Sequence, residues 1–103
     1  MKPELFDLVE LLVNVPEYNL SIGDRGAVVE YLDETHFEIE FANPKGETTA
    51  LCPLSTEQFI VVWQSETQQW LATADKIKWM SDRLPEAKRE ELLNFACFLY
   101  QKV

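Results

Sequence analysis

Few side chains in this sequence have both the type and the spacing that chemistry requires. The single histidine, His36, ends the polar stretch Asp33-Glu34-Thr35-His36, where a surface loop is the ordinary setting for a histidine. Hydrolytic or transfer chemistry needs a nucleophile with a base beside it, and no such pair occurs in the sequence. Gly23-x-x-Gly26 is not followed by Lys-Ser or Lys-Thr, so it is not a phosphate-binding loop. The sequence therefore predicts no catalytic residue and no enzyme.

The two cysteines, Cys52 and Cys97, both have apolar neighbours. We expect two buried free thiols, with a disulfide as the alternative. No pair of Cys or His has the spacing of a zinc site, and we expect neither a metal nor a cofactor. Free thiols suit a reducing compartment. Met1-Lys2-Pro3-Glu4 also lacks the basic and apolar parts of a signal peptide, so we expect a cytoplasmic location.

The acidic residues are concentrated at the front of the chain. Residues 1–60 hold 12 acidic and three basic residues, a net charge of −9, whereas residues 61–103 hold six of each. Such a surface repels phosphate backbones and anionic membranes and attracts basic proteins. If Glu30, Glu38, Glu40 and Glu47 share an outer sheet face, they form a candidate patch for a basic partner. A merely solvated acidic face is the alternative.

Short strands are expected to position these carboxylates. Phe37-Glu38-Ile39-Glu40-Phe41 alternates strictly, which predicts a half-buried strand, and Asn43-Pro44-Lys45-Gly46 predicts the hairpin turn that follows it. Gly26 marks a place where the backbone bends or another strand approaches closely. Residues 8–13 predict a strand, although a helical turn at residues 3–6 is possible. The remaining strands are predicted at residues 27–31, 48–51 (ended by Pro53) and 59–63, with one helical turn at residues 55–58.

Residues 64–103 have the pattern of helices. Ser65-Glu66-Thr67-Gln68 has the spacing of a capping box. Trp70, Ala74 and Ile77 follow at helical spacing as the expected buried stripe, with Met80 as a further candidate member. The tryptophans are expected to dock the tail on the sheet. Trp79 lies off that stripe, so we expect it to be an exposed anchor for a partner.

A second helix is predicted from about residue 85 to residue 101, with Pro85 at its first position. Its apolar arc is wider than one small core requires, so part of this helix is either sandwiched within the fold or in contact with another protein. We select Leu93, Phe98 and Tyr100 as partner-binding candidates, and self-association through residues 85–101 is a further option. No apolar run has transmembrane length.

These elements together predict a mainly β fold with C-terminal helices. In detail, we expect an SH3-like five-stranded barrel followed by two α-helices. Residues 1–63 would form the acidic barrel, and residues 64–103 would form a helical tail that packs on the barrel or on a partner.

Several segments occur in a defined order along the chain: Leu5-Phe6-Asp7-Leu8-Val9, Leu12, Val15-Pro16-Glu17-Tyr18-Asn19-Leu20, Ile22-Gly23-Asp24-Arg25-Gly26-Ala27-Val28-Val29-Glu30, residues 37–41 and residues 46–51. In this order they resemble a family of short bacterial domains of unknown function, number 4926. The resemblance extends over about residues 3–62, and it implies an SH3-like barrel with no known catalytic residue. The tail contains Leu84-Pro85-Glu86 and Phe95-Ala96-Cys97-Phe98-Leu99. Through these two segments it is similar to the 2281 group, helical segments of unknown function often encoded beside or within toxin–antitoxin proteins.

Three functions follow as hypotheses. The first is a non-catalytic protein–protein interaction module, an antitoxin-like or immunity-like member of a bacterial pair, with a basic protein as its partner. The alternative is a nucleic-acid-associated SH3-like barrel, which a net charge of −9 without a Lys or Arg cluster disfavours. An enzyme is the third and has the least support, because the side chains that it needs are missing.

Overall fold

The structure, a computed structural model, describes residues 2–102. This part of the chain forms one antiparallel sheet followed by two helices, and a 3-10 turn at Pro16–Tyr18 lies between the first two strands. The mainly β fold with C-terminal helices is therefore confirmed. In chain order the elements are β1 (Leu8–Leu11), β2 (Arg25–Tyr31), β3 (His36–Ala42), β4 (Thr48–Ser55), β5 (Phe59–Gln64), β6 (Gln69–Trp70), α1 (Thr73–Arg83) and α2 (Glu86–Gln101).

The strand order across the sheet is β4-β3-β2-β1-β5-β6. Strands that are consecutive in sequence pair with each other, except for β4 and β5. After β4 the chain crosses to the other side of the sheet, where β5 pairs with β1. The pairing among residues 2–102 leaves β4 and β6 as the two edges, so closure of the sheet into a barrel is not shown. A two-residue strand, β6, adds a sixth member to the five that were predicted.

The core lies on one face of this sheet. The predicted alternation in β3 is confirmed, because Phe37, Ile39 and Phe41 are buried while Glu38 and Glu40 lie on the opposite face. Val28 of β2 pairs with Ile39 and is also buried. Hydrophobic burial on this face is the main favourable contribution to folding.

β5 is buried at four consecutive positions, Phe59, Ile60, Val61 and Val62. A bulge opposite β1 inserts Val62 between the residues that pair with Leu8 and Val9, which breaks the alternation. α1 packs against β5, so this strand has protein on both sides. A continuous apolar run is the expected signature of such a strand.

Gly26 lies where β2 and β3 approach each other closely, which is one of the two alternatives that its position in the sequence left open. A Cβ atom on Gly26 would lie 2.7 Å from the carbonyl oxygen of Glu40, so no side chain fits there without a shift of backbone. The hairpin turn at residues 43–46 is also confirmed. The Gly46 N–H donates to the Asn43 carbonyl oxygen over 2.9 Å, and Gly46 has a φ of 84° that glycine adopts at little cost.

Two predictions about β4 and the turn after it are wrong. Pro53 does not end the strand but lies inside β4, where an edge position tolerates its missing N–H. Residues 55–58 form a hydrogen-bonded turn instead of a helical one. The Gln58 side chain accepts a hydrogen bond from the Ser55 N–H over 2.8 Å, so half of the capping-box contact is made within a hairpin.

The first helix begins later than predicted, at Thr73, because residues 65–68 turn the chain from β5 into β6. The side chain and the N–H of Ser65 bind Asp7 in place of capping a helix. Trp70 therefore belongs to a strand and is 58% exposed. The expected buried stripe is wrong for Trp70, Ala74 and Ile77, whose side chains are exposed. Its further candidate, Met80, is half-buried and packs against the core.

Trp79 corrects a second prediction, because it is 1% exposed and belongs to the core. With the helix starting at Thr73, the positions of α1 that are not exposed are residues 76, 79, 80, 81 and 83, and all of them except Ser81 lie on one face. Trp79 is thus the residue that docks α1, and it cannot serve as an exposed anchor. Among residues 2–102, no helix is long and apolar enough to cross a membrane.

Candidate protein-interaction surfaces

Arg89 sets the direction in which α2 leaves the rest of the molecule. Its guanidinium donates from Nε to the Ser81 carbonyl oxygen over 2.8 Å and from Nη2 to the Asp82 carbonyl oxygen over 3.2 Å. It also forms an ion pair with Glu86. A cation at the carboxyl end of α1 satisfies carbonyl groups that have no partner within the helix. Arg89 therefore links the end of α1 to the first turn of α2 across the bend at Pro85, which is the N-cap residue and not the first helical position.

The last two turns of α1 anchor this bend to the sheet. The Arg83 guanidinium lies 3.9 Å from the centre of the Trp79 ring, a cation–π contact. Burial of Arg83 lowers its pKa, and the neighbouring Asp82 works in the opposite direction. An open cleft of about 770 Å³ lies between the bend and the sheet, lined by residues that include Leu12, Glu57, Met80 and Arg83. Its charges are mixed, and it holds no arrangement of nucleophile and base.

α2 leaves its apolar side chains uncovered. None of the side chains of this 16-residue helix is buried. The radius of gyration is 15.0 Å, against about 13 Å for a compact chain of about 100 residues, and the longest dimension is 46 Å. The exposed side chains include Leu93 at 62%, Phe98 at 46% and Tyr100 at 83%. These three residues therefore lie at the surface, as a partner-binding role requires.

Cys97 also lies on the exposed surface of α2, which corrects the prediction that both thiols are buried. Cys52 is buried and free, as expected. Burial raises the pKa of the Cys52 thiol, and the charge of Glu38 raises it further. Cys52 is thus a small core residue, whereas Cys97 is accessible to reagents.

Three of the four selected glutamates share the outer face of the sheet. Glu38 pairs directly with Glu30 on β2, and Glu40 lies two residues along β3 on the same face. Glu47 is different: it lies in the hairpin turn, where its carboxylate accepts a hydrogen bond from Asn43 Nδ2 over 3.2 Å. The predicted patch is therefore Glu30, Glu38 and Glu40, which we call the acidic face.

The acidic face has no cation of its own among residues 2–102, since none of its members forms an ion pair there. The nearby Arg25 is paired with Glu10 at 3.1 Å and lies over the ring of Trp70 at 5.4 Å. Like charges directly opposite each other on a sheet are destabilising. Glu30 and Glu38 thus carry a repulsion that an external cation would relieve.

The acidic face lies on the same side of the sheet as a row of mostly apolar residues. Trp70 and Leu51 at the two ends of this row are more than half exposed. The row crosses all six strands in register, in the order Leu51, Glu40, Ala27, Leu8, Trp63 and Trp70, and Glu40 is its one charged member. The sequence did not reveal this row, because cross-strand register depends on bulges that no periodicity marks.

His36 has a structural role at the start of β3. Its Nδ1 atom lies 3.0 Å from a carboxylate oxygen of Asp33. The same carboxylate accepts hydrogen bonds from the N–H groups of Thr35 and His36, and its bond with the Thr35 N–H is the main reason why the pKa of Asp33 is lowered. Within residues 2–102, no group of three His, Cys, Asp or Glu side chains could hold a metal ion.

Asp7 is the most buried charged residue of the described chain, and the sequence analysis did not single it out. One carboxylate oxygen accepts hydrogen bonds from the N–H and the hydroxyl of Ser65, and the other accepts one from the Glu4 N–H. These bonds tie the segment before β1 to the turn after β5. The signal was present in the sequence as one acidic residue within the apolar run that begins at Leu5.

One of three comparisons with known proteins found a match. The family described as Domain of unknown function (DUF4926) matches residues 5–61, which is more than half of the chain and extends from the segment before β1 into β5. The match ends before α1 and α2. No curated protein and no solved structure matches the chain. On the strength of this match, which includes Asp7, Gly26 and the acidic face, the chain belongs to the DUF4926 family.

Proposed function

We propose that this chain is a non-catalytic protein-interaction module. The observation that supports this most directly is α2, which buries none of its side chains while five large apolar ones are between 46% and 83% exposed. Contiguous apolar surface of this kind is rare on soluble monomers and marks sites that another polypeptide covers. Full burial of one such side chain is worth about 2 kcal/mol. The five are Leu93, Phe95, Phe98, Leu99 and Tyr100.

The acidic face supports a second contact, with a basic protein. Glu30 and Glu38 lie opposite each other without an ion pair in the described chain, and residues 1–60 carry the whole net charge of −9. A Lys or Arg side chain placed between them would gain two favourable interactions and remove one repulsion. Complementary potentials also speed the encounter of two proteins.

These two surfaces suit an antitoxin-like or immunity-like member of a bacterial pair that acts in the cytoplasm. Such a protein works by covering a basic partner and needs no chemistry of its own. The resemblance of the tail to segments encoded beside toxin–antitoxin proteins supports the same process. The proposal assigns no catalytic residue and no cofactor.

Co-purification of the full-length chain from its natural host tests the proposal. We expect a basic polypeptide to remain bound in stoichiometric amount to the wild-type chain and to be lost from Glu38→Lys. The substituted lysine would lie opposite Glu30, so it removes the repulsion and should not harm the fold.

Glu17→Lys is the matched control, because it makes the same charge change at an exposed position in the 3-10 turn, outside both surfaces. It should retain the bound polypeptide. Circular dichroism would establish that both variants are folded. A wild-type chain that elutes as a single copy with nothing bound would contradict the proposal.

A further inference from the structure

The apolar side chains of α2 are arranged around one small residue. At about 100° per residue, Ala96 lies at the centre of an apolar arc of about 200°. Leu92, Phe95 and Leu99 lie on one side of Ala96, and Leu93, Cys97 and Tyr100 lie on the other. We call these seven residues the Ala96 face. Asn94 and Phe98 lie on the remaining side of the helix.

We infer that two copies of this chain pair through the Ala96 face, with their α2 helices antiparallel and Ala96 at the two-fold axis. This deepens the proposed function, since it names the polypeptide that covers α2. An alanine at the crossing point lets the two backbones approach closely, and the larger side chains on its flanks then interdigitate. In such a pair, the residues on one side of Ala96 contact the residues on the same side of Ala96 in the other copy, as a two-fold interface requires.

The exposed area fits a dimer. Leu93, Phe95, Leu99 and Tyr100 are between 49% and 83% exposed. Together they present about 500 Å² of surface, at about 200 Å² for each large side chain. The partly exposed members of the face and the polar side chains at its rim add to this area. The sum approaches the roughly 800 Å² per partner of a standard stable interface.

The charge distribution favours a second copy over a basic protein at this helix. α2 itself carries Glu86, Glu90 and Glu91 against Lys88 and Arg89, followed by Lys102, which is no net charge. A cationic partner would therefore be attracted to the sheet and not to α2. Self-pairing through a neutral helix is compatible with a chain whose net charge of −9 lies elsewhere.

The charge of the two sheets selects the antiparallel orientation. A pair centred on Ala96 directs the two sheets toward opposite ends of the paired helices. The two Glu86 residues, where the α2 helices begin, would be about 30 Å apart along the helix axis, at about 1.5 Å per residue. The acidic sheets would then be separated by several Debye lengths of about 8 Å. A parallel pair would bring both sheets to the same end.

Sedimentation equilibrium of the full chain over a wide concentration range tests the pairing. We expect a mass of twice the 12.0 kDa of one chain at high concentration. Leu93→Glu and Tyr100→Glu should each raise the dissociation constant about tenfold or more, because they bury a charge in the interface. Asn94→Glu adds the same charge to the same helix outside the Ala96 face, and it should leave the constant unchanged.

A mass of 12.0 kDa at every concentration, or an equal effect of Asn94→Glu, would overturn the inference. The proposed function is tested by a different result, the binding of a basic polypeptide to the acidic face, and it would fail if no such polypeptide binds. A chain that is monomeric but retains a basic polypeptide would therefore contradict the pairing alone.

Cross-linking tests the orientation. In a Cys97→Ser background, the buried Cys52 is the remaining thiol and does not react. Chains carrying Leu92→Cys are mixed with chains carrying Leu99→Cys and treated with a short bismaleimide. These two positions lie on the same flank of the Ala96 face and at about equal distances on either side of Ala96, so we expect the mixed 92–99 product. Cross-links between identical positions, 92 to 92 or 99 to 99, in place of the mixed product would overturn the antiparallel arrangement.

Discussion

Replacing Gly26 by alanine would place a methyl group where the structure has no room for one. The added Cβ atom would lie 2.7 Å from the Glu40 carbonyl oxygen, 2.8 Å from Ile39 Cγ2 and 3.0 Å from Phe41 Cδ1. Side chains of the core can adjust by a rotation, but a carbonyl in a strand cannot. The substitution must therefore push β2 away from β3 in the middle of the sheet.

The cost follows from this geometry. Extra carbon atoms in a packed core cost about 1–3 kcal/mol, and a contact with backbone belongs at the upper end of that range. Alanine restricts the unfolded chain more than glycine does, which offsets about 0.5 kcal/mol. We expect Gly26→Ala to lower the free energy of unfolding by about 2.5 kcal/mol in net terms. The corresponding fall in the melting temperature is about 10–20 °C.

Urea denaturation followed by tryptophan fluorescence measures this change, with Gly46→Ala as the matched control. Gly46 has open space around it but a φ of 84°, so its substitution tests backbone conformation without a clash and should cost about 1 kcal/mol. If Gly26→Ala costs no more than Gly46→Ala, the close approach of β2 and β3 does not constrain the fold and the reasoning is refuted.

Three further substitutions probe the buried groups of the described chain. Asp7→Ala should lower the free energy of unfolding by about 3 kcal/mol, because it removes a buried carboxylate that accepts three hydrogen bonds from Glu4 and half-buried Ser65. A loss below 1 kcal/mol in urea denaturation would contradict this. Trp79→Ala should lower the free energy of unfolding by about 4 kcal/mol, because Trp79 is buried in the core. Trp70→Ala, at an exposed position, should lower it by well under half as much. Equal melting temperatures of the two variants would refute the assignment of Trp79 to the core. Cys97 should react rapidly with a thiol reagent at neutral pH while Cys52 reacts only on unfolding. Folding raises the pKa of Cys52, so the thiol loses its proton at a lower pH in the unfolded state than in the folded state. The free energy of unfolding should therefore fall as the pH rises above 9.0. Cys52→Ala should remove this pH dependence.

Local patterns predicted those parts of the fold that depend on neighbouring residues. The alternation of residues 37–41 predicted the two faces of β3, and Asn43 to Gly46 predicted its hairpin turn. For Gly26 the sequence left a sharp bend and a close approach as alternatives, and the structure shows the close approach. The family resemblance, given for about residues 3–62, is confirmed over residues 5–61. Each of these inferences rests on interactions within a few residues or within one hairpin.

The tail shows why the remaining elements were not predicted. The capping-box spacing at Ser65 is real, but Asp7, far away in the sequence, accepts the hydrogen bonds of Ser65 and holds the segment as a turn. The start of α1 then moves to Thr73, and the buried face of the helix moves from Ile77 to Trp79. One long-range contact thus reversed the assignment of which tryptophan is exposed.

The sequence by itself determined the division of this protein into an acidic, strand-rich front and a neutral, helical tail, because charge and hydrophobic period are local properties of the chain. Only the tertiary structure decided which apolar residues remain at the surface. α1 covers β5 and buries Trp79, whereas none of the side chains of α2 is buried. Whether an apolar side chain is exposed depends on how much apolar surface of the other elements is still uncovered. That area is defined only after those elements have packed together.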